Sequence, residues 1–285
     1  MELSVVIPTY NRPKPLKNCL EALRAQETNL DWEIVLVNDG GHIDEDLESY
    51  FSDLPLRLFH TENRGPGHAR NYGVKQAAGH KIAFIDDDCQ AGPNWLNHMA
   101  RALRPRRLVA GQVINEIRQR AGSEASQLLL DYLMMRLKDT PEYFFTSNNL
   151  GAMRLDFLEL GGFDHAFPQA AGEDREFCVR AGFQGWELYR EPQLVVHHYH
   201  DLNRKKFWRM HQKYGRATHI YHQVKKQRGM DWPPVRLKGF YSGMLFYPFQ
   251  KKAYPLSQKF LLLWFIGLSQ LATLVGYWQG RSAKK

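Results

Sequence analysis

Lys81-Ile82-Ala83-Phe84-Ile85-Asp86-Asp87-Asp88 runs a short apolar stretch straight into three acids. A continuous apolar run of this length, stopped by polar residues, reads as a strand covered on both faces. The acids then fall at its C-terminal end. The pattern recurs upstream. Leu3-Ser4-Val5-Val6-Ile7 is stopped by Pro8, and Glu33-Ile34-Val35-Leu36-Val37 ends at Asn38-Asp39-Gly40-Gly41. Leu56–Phe59 and Leu108–Gly111 add two more strands. Helical stretches separate them: Pro13 to about Gln26 with Leu16, Leu20 and Leu23 on one face, Asp44 to Phe51, a loop from Gly65 running into a helix to Ala78, and Pro93 to Leu103. Short strands alternating with helices predict an α/β fold, a mostly parallel Rossmann-like sheet flanked by helices. In such sheets ligands sit beyond the carboxyl ends of the strands, where the polar residues lie here. No GxGxxG follows the first strand, which disfavours a nicotinamide-type oxidoreductase.

The chain has 285 residues, 44% hydrophobic and 24% charged, a globular balance that excludes a disordered or collagenous chain. Its three cysteines, Cys19, Cys89 and Cys178, are scattered, without a disulfide framework or metal-type CxxC spacing. A reducing compartment is the expectation. Met1-Glu2-Leu3-Ser4 passes from an acid into a strand and does not resemble a secretory leader.

After about residue 112 the alternation loosens. Ser123 to Lys138 reads as a helix. Residues 148–191 mix short strands and glycine turns with a helix near Asp174–Ala181, and Leu194–Val196 is a late strand. In Lys205–Lys226, Phe207, Met210, Tyr214, Ala217 and Tyr221 recur at helical spacing. A boundary near residue 200 divides the expected catalytic domain, 1–200, from a basic and apolar helical extension, 201–285.

The net charge of +8 is local. Between Asp201 and Arg228 nine basic residues face one acid, an excess equal to that of the whole chain. Further on, Phe260 to Trp278 is nineteen residues without a charge. At about 1.5 Å per residue this is roughly 28 Å, close to a bilayer's hydrocarbon thickness. Spanning, lying in the plane of a membrane and burial in a core all stay open. Anionic headgroups attract nearby Lys and Arg, and Trp208, Trp264 and Trp278 suit an interface. Lys251, Lys252 and Lys259 before the segment and Arg281, Lys284 and Lys285 after it balance, so they set no orientation.

Several clusters could carry chemistry. Asp86, Asp87 and Asp88 repel one another and need a cation, solvent or donors; hard oxygen ligands suit Mg²⁺ or Mn²⁺. Taken alone, the triplet is equally a solvated acidic turn. Glu173-Asp174 could be ordinary first-turn helix stabilisers. His197-His198-Tyr199-His200 could ligate metal or be structural. Asn63-Arg64-Gly65-Pro66-Gly67-His68-Ala69-Arg70-Asn71 pairs a glycine loop with basic groups, as a phosphate site would. Asn148 and Asn149 suit turn capping as well as sugar hydroxyls.

As an ordered set, SVVIPTYNR (4–12), VNDGG (37–41), NRGPGHARN (63–71), FIDDD (84–88), GGFD (161–164), GEDREFCVRAG (172–182) and HHYH (197–200) with YGR (214–216) resemble the family-2 glycosyltransferases. These are inverting nucleotide-sugar enzymes with the GT-A fold. The resemblance covers roughly Leu3 to Arg216. It implies that Thr9, Tyr10, Arg12 and Asp39, with Pro8 beside them, form the nucleotide-base pocket. Asn63, Gly67 and Arg70 would close around the nucleoside. Asp86 would face the ribose and Asp88 would hold the divalent metal, Mn²⁺ or Mg²⁺, with Asp87 between them in the donor site. Asp174 would be the catalytic base with Glu173 beside it. His198 would stand near the metal and diphosphate, or His197 or His200 if the register shifts. The sequence departs from the family at Asn38, where an acid is usual, and at Gly41, where a small hydroxyl is usual.

The expected partners are a nucleotide-sugar donor, a hydroxyl acceptor that includes a lipid-linked glycan or a soluble molecule, and a membrane surface. The expected location is the cytoplasmic face of the membrane, peripheral or C-terminally anchored, with a soluble cytoplasmic enzyme as the alternative. A sugar-phosphate nucleotidyltransferase would carry a glycine- and base-rich loop after strand one, which Pro8–Pro13 is not. A nucleic-acid-binding protein would use the +8 stretch but leaves the acids unexplained. A non-catalytic relative sits poorly with the full set Asp39, Asp86, Asp88 and Asp174.

Overall fold

A computed structural model describes residues 1–169, 171–230, 232 and 238–282. Lys284 and Lys285 lie outside them. The elements run β1 (Leu3–Thr9), α1 (Pro13–Arg24), β2 (Trp32–Asn38), α2 (Leu47–Tyr50), β3 (Leu56–His60), α3 (Pro66–Gln76), β4 (Lys81–Ile85), β5 (Cys89–Ala91), α4 (Trp95–Ala102), β6 (Arg107–Asn115), α5 (Ala121–Leu137), β7 (Asn149–Met153), α6 (Arg154–Glu159), α7 (Glu173–Phe183), β8 (Glu187–His198), α8 (Arg204–Gln227), α9 (Phe240–Gln250) and α10 (Leu256–Ser282).

They form two compact units: Met1–Ile114 with Phe145–Tyr199, and Asn115–Phe144 with His200–Lys285. A linear boundary near residue 200 assigns 115–144 to the first part. It belongs to the second because Ala125, Leu128, Leu129 and Tyr132 of α5 share a core with Phe207, Leu262, Phe265 and Ile266.

In the first unit the strand order is β3-β2-β1-β4-β7-β6-β8-β5. β3, β2, β1 and β4 are parallel. β7 is antiparallel to both β4 and β6, and β5 to β8. The sheet is therefore parallel over its first half and mixed beyond it. β1 is buried throughout because both faces are covered. It continues past Pro8 to Thr9, although proline lacks an amide donor. Pairing with β4 ends at Val6, while Pro8 still stands opposite Val37 of β2. The Asp39 amide donates to the Thr9 carbonyl at 2.9 Å, so position 8 faces the side where the ladder has already ended.

β8 extends well beyond Leu194–Val196. Its first half has no fully buried side chain: Glu187, Arg190 and Pro192 are exposed, and Leu188, Tyr189 and Glu191 are half-buried. Gly111 of β6 lets β8 approach, because a Cβ there would lie 1.8 Å from the Leu194 carbonyl oxygen. Asn149, 1% exposed, stitches this half of the sheet. Its amide nitrogen donates to the Gln112 and Leu194 carbonyls at 3.1 Å each, and its oxygen accepts from Trp95 Nε1 at 2.9 Å. Asn148 Oδ1 accepts from Thr146 Oγ1 at 2.7 Å.

In the second unit Asn203 caps α8, accepting from the Lys206 amide at 2.9 Å. α8 and α10 cross at glycines. A Cβ on Gly215 would lie 2.0 Å from the Thr273 carbonyl oxygen, and one on Gly276 would lie 2.0 Å from that of Gln212.

Candidate active site

The acids stand where β4 stops. Asp87 is 4% exposed and accepts from Thr9 Oγ1 at 2.8 Å and from Arg12 Nη1 at 3.0 Å. The same Arg12 nitrogen reaches Asp88 Oδ2 at 2.7 Å. Burial, and then the neighbouring Asp88 and Asp86, push the Asp87 carboxyl up to about 6, although Arg12 pulls the other way.

β5 determines what meets Asp88. Cys89 lies opposite His198 in the β5–β8 ladder, and the Tyr199 amide donates to the Asp88 carbonyl at 2.9 Å. This register carries His198 Nε2 to 3.4 Å from Asp88 Oδ1. Burial opposes charging the imidazole, but the Asp88 bond and charge outweigh it, and its pKa rises. Ligand atoms of Asp88, Cys89 and His198 lie within 4.8 Å of one another. Burial drives the Cys89 thiol well above its ordinary range, so it is neutral. A carboxylate and an imidazole beside two further carboxylates suit Mn²⁺ or Mg²⁺, and the guanidinium of Arg12 marks the same spot as one that attracts positive charge. His200 belongs to the second unit, where its carbonyl accepts from Ser123 Oγ at 2.6 Å.

Glu173 and Asp174 open α7, whose cap Gly172 has a φ of 84°. Asp174 Oδ1 accepts from the Arg175 amide at 2.7 Å. Burial raises both carboxyls, Glu173 to about 7, and each faces other acids in turn. Arg70 of α3 is 3% exposed and forks between the two acid groups. Its Nη1 reaches Glu173 Oε1 at 3.2 Å, and its Nη2 bonds Asp86 Oδ1. Nothing in the spacing of a glycine loop announces that bridge. Gly67, one turn before Arg70, touches Glu173: a Cβ there would meet the Glu173 Cγ at 3.5 Å.

Asp39 is turned toward the backbone. It accepts from the Arg64 amide at 3.0 Å and the Gly65 amide at 2.9 Å, which fixes the loop before α3. Asn63 is exposed on that loop. Gly65 has a φ of 93°, and a Cβ there would lie 2.5 Å from the Pro168 carbonyl oxygen. A cavity of about 280 Å³ lies beside the loop, lined by Arg64, His68, His165, Phe167 and Pro168. Burial, then Arg64, lowers the pKa of His68. Tyr10 is 47% exposed next to Asn11, whose Oδ1 accepts from the His42 amide at 2.7 Å. The glycine at 41 also has a reason. A Cβ would lie 2.7 Å from the Asn11 amide nitrogen, so this packing of the two loops leaves no room for a side chain.

The family model for glycosyl transferase family 2 matches residues 4–161. The chain belongs to glycosyl transferase family 2. Among its relatives, chondroitin synthase of Escherichia coli is 28% identical over 228 residues, covering 66% of this chain and 32% of that protein. The uncharacterized glycosyltransferase YwdF of Bacillus subtilis is 32% identical over 174 residues, 58% of this chain and 62% of that one. The matches therefore span less than two thirds of these relatives' own length. The mannosyltransferase PcManGT from Pyrobaculum calidifontis, solved in complex with GDP-Man and Mn²⁺, superposes with a TM-score of 0.63 at 18% identity, covering 99% of this chain and 86% of that one. TarS 1–349 of S. aureus, solved with UDP-GlcNAc, gives 0.55 at 16% identity over 100% of this chain and 92% of that one. The chain has the GT-A fold.

Proposed function

We propose that this transferase moves a sugar from a nucleotide-sugar donor to an acceptor hydroxyl with inversion, and that it uses a divalent metal. The observation that carries this reading is the single guanidinium of Arg70 spanning Asp86 and Glu173, which holds the donor-side acids and the Glu173-Asp174 pair within one side chain's reach. Inverting transfer is one in-line displacement. The acceptor oxygen bonds to the anomeric carbon as the bond from that carbon to the diphosphate oxygen breaks. Asp174 takes the acceptor's proton as general base. Glu173, its carboxyl lifted to about 7 by burial, is only partly ionised near neutral pH and so limits the negative charge beside Asp174. Asp88 and His198 would hold the metal, which, when bound, neutralises charge on the leaving diphosphate. Asp86 bonds the ribose, and Asp87, fixed by Thr9 and Arg12, sets the angle of its neighbours. Pro8, Thr9, Tyr10, Arg12 and Asp39 shape the base side, and Asn63 and Gly67 belong to the loop over the nucleoside.

The name of the chondroitin synthase relative supports a glycan acceptor. The proposed setting is glycoconjugate or surface-polysaccharide synthesis at the cytoplasmic face of the membrane.

A thermal-shift panel of nucleoside diphosphates and their sugars, with and without Mn²⁺, tests the donor and the metal. One nucleotide should raise Tm in a metal-dependent way, and NMR of the product made with that donor should show inverted anomeric configuration. A retained configuration, or no shift by any nucleotide on folded protein, would overturn the reading.

A further inference from the structure

Among the described residues one helix, α10, is long and apolar enough to cross a membrane. Its 27 residues present two different faces. Leu262, Phe265, Ile266, Ser269, Ala272 and Gly276 are buried inside the second unit. Leu256, Phe260, Trp264, Leu271, Leu274 and Trp278 are all exposed, Trp264 by 48% and Trp278 by 55%. Their spacings of three, four and seven residues keep them on one side over about six turns. α9 adds to the uncovered apolar surface with Tyr241 and Phe246, exposed by 69% and 63%, and Phe249 packs on Phe260 with ring centroids 5.5 Å apart.

A spanning helix is surrounded by lipid or by other apolar segments. α10 is instead locked to α8 at Gly215–Thr273 and Gly276–Gln212, and Arg216 Nη1 of α8 bonds Gln279 Oε1 at 2.8 Å. Arg209 and Lys213 are exposed on the turns of α8 that make this crossing. Passing α10 through the hydrocarbon would take those charges with it.

Charge identifies what covers the exposed face. From Trp232 to Lys285 the sequence holds eight Lys and Arg and no Asp or Glu. Lys252 and Arg281 are exposed near the two ends of the stripe, Lys251 and Lys259 are half-buried, and Arg281 lies over the Trp278 ring at 5.5 Å. A second copy would bring like charges together. Anionic headgroups complement them, with the tryptophans at the level where such rings settle.

We propose that the α9–α10 surface docks on an anionic bilayer with α10 lying in the plane of the interface. This gives the proposed membrane location a mode of attachment. Vesicle binding reads this surface and the nucleotide thermal shift reads the acid cluster, so either can fail without the other.

The test is flotation of the full chain with phosphatidylcholine vesicles and with vesicles containing added phosphatidylglycerol, at low and high salt. The chain should float with the anionic vesicles, and salt should weaken the binding. Trp264→Ser/Leu271→Ser/Leu274→Ser alters exposed positions and should keep its Tm while binding falls roughly tenfold or more. Lys251→Glu/Lys252→Glu/Lys259→Glu should lose the preference for anionic lipid. In Trp264→Phe and Trp278→Phe, quenching by lipids brominated near the headgroup should drop equally. No binding by the parent, or binding that both triple variants retain, overturns the proposal. So does Trp264 quenched best by bromine at the chain ends, which would mean a spanning helix. A parent that ignores vesicles but forms a dimer dispersed by the serine variant also overturns it, in favour of an interface between copies.

Discussion

Asp86, Asp87, Asp88, Glu173 and Asp174 converge in the first unit around two arginines, whereas the second unit carries no acid after Asp231 and leaves Trp264 and Trp278 exposed. The contrast separates two uses of surface chemistry. Gathered carboxylates, partly neutralised and held short of full ionisation by burial, suit the positive charge and proton transfer proposed for them. Scattered cations around an uncovered apolar stripe form a surface for association. Neither arrangement serves stability first. Buried ion pairs contribute little net, and an exposed stripe of large apolar side chains contributes less than a covered one.

The sharpest way to break this contrast is at Asp174. Asp174→Asn should cut transfer roughly 10²–10⁴-fold while the nucleotide-induced rise in Tm persists. A variant that turns over normally would remove Asp174 as the base. Next is Arg70→Met, which strands Asp86 and Glu173 in the same buried space. Removing one partner of such a network costs about 3–5 kcal/mol, so Tm and transfer should both fall. Arg70→Lys, which keeps the charge without the fork, should recover Tm more than transfer. An unchanged Tm in Arg70→Met would show that the bridge does not hold the acids. In the second unit, Gly215→Leu forces a side chain into the α8–α10 crossing and should cost about 1–3 kcal/mol, read as a lower Tm. No loss would mean that the helices do not meet at the glycines.

The parallel half of the sheet was legible because each strand is a short apolar run with a clear stop. β5 was not: Cys89-Gln90-Ala91 is too short to show a period, and its existence depends on pairing with β8. The first half of β8 breaks its apolar residues with Glu187, Arg190, Glu191 and Pro192, so it lacks the continuous apolar signal that marks Leu194–Val196. The helix read over 44–51 narrows to Leu47–Tyr50 because the Leu47 amide donates to the Asp44 carbonyl in a turn that precedes it. In the site, the acids and His198 could be picked out by type and order. The bonds among them could not, since Thr9 and Asp87 are 78 residues apart and Arg70 and Glu173 are 103 apart. Contacts of that separation follow from strand order, which the chain settles only on folding. The amphipathic division of α10 was hidden for a different reason: both of its faces are apolar, so the letters alone leave spanning, in-plane and core placements equal.

The smallest effect is a pH slope, and it distinguishes the acid cluster from the cationic unit without any assay of transfer. Glu173 is fully buried beside Asp174 and Asp86, and burial foremost lifts its pKa from an ordinary 4.5 to about 7 despite Arg70. Below pH 4.5 the carboxyl is protonated in both folded and unfolded chains, so it adds no pH dependence. Between 4.5 and 7 the fold holds a proton that the unfolded chain has released, and stability falls as pH rises. Above about 7 both forms are ionised, and the loss is complete. For one proton the slope is at most about 1.4 kcal/mol per pH unit. Asp87 and His198, also raised, slope the same way. Glu173→Gln should therefore flatten the fall in Tm between pH 5 and pH 7 without abolishing it, and should gain most over the parent at the upper end. The serine variant of α10 should keep the parent's slope, because no carboxylate lies on that helix. If Glu173→Gln leaves the slope unchanged, then Glu173 is already ionised in the fold across pH 5 to 7, and Asp174 works beside a full second negative charge rather than beside a partly protonated carboxyl.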